Sequence, residues 1–361
     1  MDKVIKNEYM PDYVSPPGDT LLEVLHSQGI KQVTLSERIG RSKKFINEII
    51  KGKENISPEV ALQLERVLGI PSSFWNNRQR RYDDYLARIR EEISLREHLE
   101  WIQYFPYNRM STLNWVSDTK NKMNRLRNLL DFFGVASPSV WEEYWHSIQA
   151  SYRVSPTFKP DKFALAAWLR QGELIAQSID CLPYNEKKFR ECLTEIRALT
   201  AKPPEIFQDR LIKICASCGV AVAFVRELPK TASGATRWLT PQKALLQLSL
   251  RYKTDDHLWF TFFHEAAHIL FLHDKKKILI EHNKIKSDKE AKANKFAAEF
   301  LIPIKSLEEF SQSEHLSKAS IKRFASSLGI APGIVVGQLQ KYNLLPWTHC
   351  NDLKRRFEWT N

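Results

Sequence analysis

The chain has 361 residues, of which 43% are hydrophobic and 27% are charged. This length exceeds one ordinary core and predicts two or three domains, while the composition excludes a disordered or fibrous protein and indicates a soluble globular one. The formal net charge of +12 indicates an acidic partner such as nucleic acid, so the distribution of that charge along the chain matters.

Two features argue against a membrane or secreted protein. The most apolar stretch, residues 258–272, contains two histidines and a glutamate, so it is not a membrane span, and residues 1–13 form no apolar signal segment. The five cysteines are scattered and predict no disulfide framework, which fits a reducing cytoplasm. We interpret the CxxC pair Cys215 and Cys218 as core residues. We therefore expect a cytoplasmic protein without membrane contact.

Residues 15–82 carry the start and stop signals of five short helices. Proline or serine precedes the apolar segments, as at Pro16 and Ser42, and glycine follows them, as at Gly52. The second and third helices are separated by a tight turn that contains Gly40. This arrangement predicts a helix-turn-helix domain. The alternative is a plain helical bundle with a solvated basic face.

The third helix of this domain carries the predicted DNA contacts. Residues 31–53 contain seven Lys or Arg against two Glu. Ser42 begins the helix and suits a phosphate contact. Lys43, Lys44 and Asn47 follow on the outward side, where a recognition helix reaches base edges in the major groove. The sequence therefore predicts a double-stranded DNA operator as a partner.

Residues 83–204 are predicted to form a helical connecting region. Its tryptophans recur among heptad-like apolar spacings, which favours helix packing over a platform for stacked bases. They are Trp101, Trp115, Trp141, Trp145 and Trp168. This segment carries the least information about function, and it is expected to connect or oligomerise the two ends of the chain.

From residue 205 the pattern changes to α+β. A helix is followed by three short strand-like segments, VAVAFVRE, ATRWLT and KALLQLSLRY, and then by an apolar helix. Residues 304–361 are predicted to be a helical C-terminal extension. Within them, residues 320–340 have the spacing of a second helix-turn-helix. We interpret this part as a packing element, because its second helix has one basic residue, at its end.

The run HEAAH at residues 264–268 is the most informative motif in the chain. His264 and His268 are four residues apart, so in a helix both imidazoles lie on one face and can bind one metal ion. Glu265 lies on the neighbouring side, where a carboxylate can take a proton from water. The alternative is a buried helix with two hydrogen-bonded histidines and a surface glutamate. The apolar flanks favour a dry zinc site.

A catalytic zinc requires a third protein ligand and an open position. Glu290 follows His268 after a loop, on a second helix with an apolar face, and is our predicted third ligand. Asn294 is one turn further on the same face, where it could hydrogen-bond a zinc-binding histidine. Competing ligands are His273, Glu281, His282, Asp288 and Glu299.

Two further expectations concern the cleft around this motif. Residues 273–289 are charged and loop-like, and they predict a mobile lid. An extended peptide could add as a strand beside ATRWLT. Arg237, Tyr252 and His257 are candidates for stabilising an oxyanion, and the sequence does not select among them.

The segments HEAAHILFLH and EAKANKFAAEFLIP resemble the ImmA/IrrE family of zinc metallopeptidases. The resemblance is strong over residues 205–303 and extends over residues 304–350. It implies that His264, His268 and Glu290 bind Zn²⁺ and that Glu265 is the catalytic base. It also implies a zincin-like fold and a DNA-binding repressor as substrate, because family members of this kind cleave such repressors.

The first 80 residues are similar to HigA-type antitoxins among the Cro/repressor-like (XRE family) helix-turn-helix domains. PPGDTLLEVL, TLSERIG and INEIIKGK carry the likeness. The run RSKKF departs from it, with lysines where many relatives have glutamine or serine, which favours phosphate contacts over some base contacts. Domains of this type usually act as dimers, so a homodimer on two half-sites is one expected form.

These patterns together predict a mainly α protein with a small β-sheet. The predicted parts are a five-helix helix-turn-helix domain (15–82), a helical connecting region (83–204), an α+β zincin-like metallopeptidase domain (205–303) and a helical C-terminal extension (304–361). The predicted function is a DNA-binding transcriptional regulator with a zinc-dependent metallo-endopeptidase that cleaves a repressor, an antitoxin or itself. The alternative is a non-proteolytic antitoxin or repressor of a toxin–antitoxin operon, partnered by a toxin, whose zinc domain is a sensor or structural module.

Overall fold

The computed structural model describes residues 13–149, 161–271, 279–280, 288–313 and 315–360. The chain divides into two compact units, Met1–His98 and Leu99–Asn361, called here the N-terminal unit and the C-terminal unit. The fold is mainly α with a small sheet, as predicted. The boundaries expected after residues 82, 204 and 303 stay predictions. No helix in the described part of the chain is both long enough and apolar enough to cross a membrane.

The N-terminal unit is the predicted bundle of five helices. They are α1 (Pro17–Ser27), α2 (Gln32–Ile39), α3 (Lys43–Ile50), α4 (Pro58–Leu68) and α5 (Ser72–Arg96). Their apolar faces meet in one core, in which Leu21, Leu35, Ile46, Leu64 and Trp75 are fully buried. The last helix continues past residue 82, the predicted end of the domain, to Arg96, and its second half is mostly exposed.

Glycine determines how the first three helices meet. Gly40 ends α2 in the left-handed region at φ 69°, and Ser42 then caps α3 by accepting a hydrogen bond from the Phe45 amide at 3.1 Å. Gly18 lies at the start of α1, where a Cβ would come within 2.1 Å of the Ile49 carbonyl oxygen. A side chain at this position would therefore push α1 away from α3.

The C-terminal unit begins with helices and encloses a sheet. A 3₁₀ turn (Leu99–Tyr104) leads to α6 (Tyr107–Thr112), α7 (Lys122–Phe133), α8 (Pro138–Gln149), α9 (Lys162–Gln177), α10 (Glu186–Leu199) and α11 (Pro204–Ala216). Next come β1 (Val220–Phe224), β2 (Gly234–Thr240), β3 (Lys243–Leu248), α12 (Asp255–Phe271) and β4 (Leu279–Ile280). The chain continues with α13 (Asp288–Leu301), α14 (Ile304–Ser313), α15 (Lys318–Leu328) and α16 (Pro332–Lys341), and a second 3₁₀ turn follows (Asn351–Leu353).

The sheet has the strand order β1-β3-β2-β4. β1 is parallel to β3, whereas β2 is antiparallel to both β3 and β4. The first three strands are the predicted ones. β4 was not expected, since the sequence of residues 273–289 predicts a loop-like lid. The rest of that segment up to residue 287 lies outside the described residues.

Helices cover both faces of the sheet. Leu246 of β3 belongs to the core that contains Phe262 and Phe263 of α12. Its neighbour Gln247 points the other way and donates a hydrogen bond to the Trp168 carbonyl of α9 at 2.7 Å. α9 lies in the region expected only to connect or oligomerise, and here it forms a layer against the sheet.

The C-terminal helices pack on α12. α15 and α16 have the connection of a helix-turn-helix, but Ile334, Val335, Val336 and Leu339 of α16 are buried, as expected for a packing element. Gly333 permits the approach, because a Cβ there would lie 2.2 Å from Asp255 Oδ1. The start of α12 is therefore covered by α16.

The buried carboxyl of Asp255 should make stability depend on pH. Burial, and secondarily the charge of Asp256, raises the pKa of Asp255 from 3.8 to about 7. Between these values the native state holds a proton that the unfolded state lacks, so the free energy of unfolding should fall as pH rises from about 4 to about 7. Asp255→Asn keeps an acceptor for the Asp256 amide, which lies 2.9 Å from Asp255 Oδ1.

We expect Asp255→Asn to exceed the wild type in stability above pH 7, by up to about 4 kcal/mol for a shift of this size. The advantage should shrink toward pH 5. Urea unfolding at pH 5, 6, 7 and 8 measures the difference in the free energy of unfolding between variant and wild type. The control is Asp209→Asn, at an exposed position. A stability difference that is the same at every pH would contradict the assignment.

Candidate functional site

The predicted metal ligands converge in the C-terminal unit. His264 and His268 lie one turn apart on α12, and their Nε2 atoms are 2.9 Å from each other. Glu290 of α13 faces both, with Oε2 3.2 Å from His264 Nε2 and Oε1 3.3 Å from His268 Nε2. All three side chains are buried. The structure thus brings together one nitrogen from each histidine and a carboxylate.

The spacing of these atoms fits a tetrahedral metal ion. Zinc–nitrogen and zinc–oxygen bonds of about 2.0–2.1 Å place neighbouring ligand atoms of a tetrahedron about 3.3 Å apart. The measured separations are 2.9, 3.2 and 3.3 Å. The 2.9 Å between the two Nε2 atoms matches an N–H···N hydrogen bond when one ring carries its proton there, and it also matches two ligand nitrogens when both lone pairs face a cation. A divalent cation would satisfy both lone pairs.

Asn294 orients the first histidine. Its Oδ1 lies 3.0 Å from His264 Nδ1, and an amide oxygen can only accept a hydrogen bond. With its Nδ1 proton on Asn294, His264 would direct the Nε2 lone pair at a metal ion held by the three ligands. This is the supporting position that the sequence predicts for Asn294.

The protonation of the cluster also suits a metal. Burial lowers the pKa of His268, and Glu290 opposes that shift only partly. Burial alone would raise the pKa of Glu290, but hydrogen bonds from the Nε2 protons of His264 and His268 lower it to about 2 when no metal is bound, and a metal ion would take the place of those protons. Near neutral pH the cluster thus contains a neutral imidazole at His268 and an ionised carboxylate, the forms that bind metal.

Glu265 lies beside the ligands and is held by the sheet. It is fully buried, and Thr236 Oγ1 of β2 donates a hydrogen bond to its Oε2 at 2.6 Å. Gly234 makes room for this contact, because a Cβ there would lie 2.9 Å from Glu265 Oε1. Sequence reasoning did not find Thr236, since threonine is common in strands and gives no separate signal.

The competing residues lie elsewhere. Glu299 is exposed and pairs with Lys295 at 3.8 Å, and Asp288 is exposed at the start of α13. His273, Glu281 and His282 lie outside the described residues.

The residues considered for stabilising an oxyanion have other partners. Arg237 pairs with Glu173 on the α9 face of the sheet. Tyr252 stacks on His257, two helical turns before His264, with ring centroids 4.3 Å apart.

The predicted DNA-contact residues lie on α3 of the N-terminal unit. Lys43 and Lys44 are exposed, and Asn47 is half-buried. Lys44 also makes a loose ion pair with Glu48 at 3.7 Å. Ser42 uses its oxygen to cap the helix, and its hydroxyl hydrogen can still donate outward. The two lysines lie in the first turn of the helix, and Asn47 lies one turn after Lys43.

Family models match both the helix-turn-helix region and the region that contains the candidate metal ligands. The family model of the helix-turn-helix matches residues 21–75, and that of the IrrE N-terminal-like domain matches residues 222–335. The chain joins a helix-turn-helix domain to an IrrE-like domain. The matched IrrE-like region contains all of the candidate ligands, Glu265 and Thr236. No curated protein matches the chain.

Two solved structures are similar to part of the chain. One is from Nostoc punctiforme and is described as an antidote protein of a plasmid maintenance system. It is 27% identical, with a TM-score of 0.22, and the match covers 25% of this chain and 93% of the other. The second is an addiction module antidote protein of the HigA family from Coxiella burnetii. It is 22% identical, with a TM-score of 0.22, and the match covers 23% of this chain and 92% of the other.

The metal assignment predicts a specific loss of zinc. His264→Ala and Glu290→Gln each remove one ligand, and loss of a direct ligand should reduce binding by at least the 10–100-fold typical of a supporting group. Zinc content after dialysis against a weak chelator should fall from about one per chain to well below one. Glu299→Gln, on the same helix but outside the cluster, is the matched control. Equal zinc in all four proteins would contradict the site.

Proposed function

We propose that the chain is a DNA-binding regulator whose IrrE-like domain is a zinc-dependent endopeptidase acting on another regulator protein. The observation that carries the proposal is the position of Glu265. A buried carboxylate lies one residue from a His, His, Glu ligand set and is fixed by the Thr236 hydroxyl at 2.6 Å. A purely structural metal site has no use for this extra carboxylate.

The number of ligands supports a catalytic site over a structural one. Structural zinc sites are closed by four protein ligands, whereas catalytic sites use three and keep one position open. In the described part of the chain the group has three members, His264, His268 and Glu290. A metal ion held by these three residues would keep one position for water or for the substrate carbonyl.

Each residue has a distinct part in peptide-bond hydrolysis. When bound, Zn²⁺ supplies a Lewis acid that polarises the carbonyl and lowers the pKa of water. Glu265 takes the proton from the attacking water and passes it to the leaving amine. Thr236 keeps one carboxylate oxygen of Glu265 in place, and Asn294 keeps His264 in the tautomer that binds metal.

The sheet limits how a substrate can approach. The sequence suggests strand addition beside β2, but β4 already pairs there, with Ala235 opposite Ile280 and Thr236 opposite Leu279. An extended substrate on this side must pair with the outer edge of β4 or replace it. We propose a repressor, an antitoxin or another copy of this chain as the substrate, because the helix-turn-helix domain brings the peptidase to an operator.

A second function is favoured by the burial of the site. Glu265 is 0% exposed and the three ligands are 7% exposed or less, so a substrate has little access to the site in this conformation. The chain would then be a non-proteolytic antitoxin or repressor, paired with a toxin, whose zinc domain is a sensor or structural part. The two functions differ in whether Glu265 is needed for the turnover of another protein.

The substitution Glu265→Gln distinguishes the peptidase from the non-proteolytic function. The amide is isosteric and can still accept from Thr236, so zinc and fold should be retained, while loss of the base should slow cleavage by at least about 100-fold. Cells expressing the wild type should contain new protein N-termini, detected by N-terminal peptide enrichment and mass spectrometry, that are absent with the variant. The exposed Glu308→Gln is the control. Identical N-termini with wild type and variant, at equal zinc content, would favour the non-proteolytic function.

The proposed DNA contacts predict two different effects on binding. An operator is first selected from random-sequence DNA with the full chain, as a homodimer on two half-sites if it dimerises. Lys43→Ala and Lys44→Ala should weaken binding to all sequences and lower the salt slope by about 1 each. Asn47→Ala should relax the preference at one base position by about 1–3 kcal/mol. Exposed Lys305→Ala is the control, and a salt slope unchanged by both lysine variants would exclude these contacts.

A further inference from the structure

A cavity lies on the α9 face of the sheet. Its volume is about 400 Å³, and it is bounded by the end of α7, by α8 and α9, and by Arg237 of β2. Cavities that hold small organic ligands have about this size. We call it the aromatic pocket, and the residues that matter for its chemistry are Trp141, Tyr144, Trp145, Arg170, Glu173 and Arg237.

The floor of the aromatic pocket carries an excess of positive charge. Glu173 pairs with Arg170 at 3.0 Å and with Arg237 at 2.9 Å, so one carboxylate serves two guanidinium groups. All three side chains are at most 20% exposed. Arg170 is fixed further by donating from Nε to the Phe132 carbonyl at 2.9 Å. Within the described residues, Glu173 is the one partner found for Arg237.

This arrangement leaves one net positive charge in a partly enclosed space. A guanidinium has five N–H donors, and a single carboxylate satisfies at most two of them in a bidentate contact. The remaining donors of Arg237 are suited to a second carboxylate or a phosphate. Because the site is shielded from bulk water, such a contact would be stronger than one on the open surface.

The walls are suited to a flat ring. Trp141 and Trp145 are buried and stack on each other, and Phe163 stacks on Trp141 as well, so these rings form a rigid apolar wall whose faces are largely covered. Tyr144 is half-exposed on the same helix and lines the pocket near its outer side. Rings in this setting gain from stacked or edge-to-face contacts with a planar occupant.

We propose that the aromatic pocket binds a small planar organic acid, with the acid group on Arg237 and Arg170 and the ring against Tyr144 and the apolar wall formed by Trp141 and Trp145. The volume admits a compound of one or two fused rings and excludes a folded peptide segment. This binding does not require the peptidase activity proposed above. The pocket and the metal cluster lie on opposite faces of the same strand.

The test uses the full chain and defined probes. 1-Naphthoate and 1-naphthyl phosphate present the ring with a carboxylate or a phosphate, and 1-naphthamide presents it without charge. Titration calorimetry and quenching of tryptophan fluorescence should show saturable binding of at least one acid. Loss of the charge-assisted contact should make the amide bind at least about 10-fold more weakly. The stronger of the two acids identifies the acid group that the pocket prefers.

Arg237→Gln should weaken binding of the preferred acid about 10- to 100-fold. Arg210→Gln is the matched control, because Arg210 also pairs with one glutamate, Glu195, but on the open surface. Val140→Trp, at an exposed position of the lining, should obstruct the pocket without touching the ion pairs, and it serves if Arg237→Gln does not fold. Three results would show that the ion pairs are structural only. They are equal affinity for the acid and the amide, no saturation by either acid, and unchanged affinity in both pocket variants.

Discussion

The C-terminal unit depends on one constraint, the burial of the two imidazoles of His264 and His268 and the carboxylate of Glu265 within an apolar helix. Fourteen of the seventeen residues of α12 are buried, so these polar groups have little access to water. Each therefore needs a partner from another element. α13 contributes Glu290 and Asn294 on one side, and β2 contributes Thr236 on the other. The sheet and the second helix thus hold the motif in one geometry.

The same constraint explains the small residues around α12. Gly234 lets β2 approach the Glu265 carboxylate, and Gly333 lets α16 approach Asp255. In each case a Cβ would come closer than 3 Å to a carboxylate oxygen or carbon. Close packing around polar groups excludes water from them, and this strengthens every charge interaction in the cluster.

The parts that could be predicted from the sequence are those set by local periodicity. The spacing of His264 and His268 follows from one helical turn, and Glu290 and Asn294 are related in the same way on α13. The five helices of the N-terminal unit were predictable because proline, serine and glycine mark their ends. These signals need no knowledge of distant contacts.

The remaining features depend on contacts between distant segments. Thr236, 29 residues from Glu265, is an ordinary strand residue until the sheet places it under α12. β4 is two residues long and lies within a charged segment, too short for a pattern of alternation. The tryptophan-rich helices show an apolar pattern, but the pattern does not say that α9 will cover the sheet. Contacts between segments far apart in the sequence determine these features, and local patterns in a single sequence do not predict such contacts.

The side chains of strand β2 point alternately to the two faces of the sheet, so this strand contributes to both the metal cluster and the aromatic pocket. Thr236 points to the metal cluster and its neighbour Arg237 points to Glu173, so adjacent positions belong to different environments. Deleting one residue between Gly234 and Thr236 would bring Arg237 to the position under Glu265, and inserting one would bring Thr236 to the position beside Glu173. A change of length within β2 therefore disturbs both faces at once, whatever residues are used.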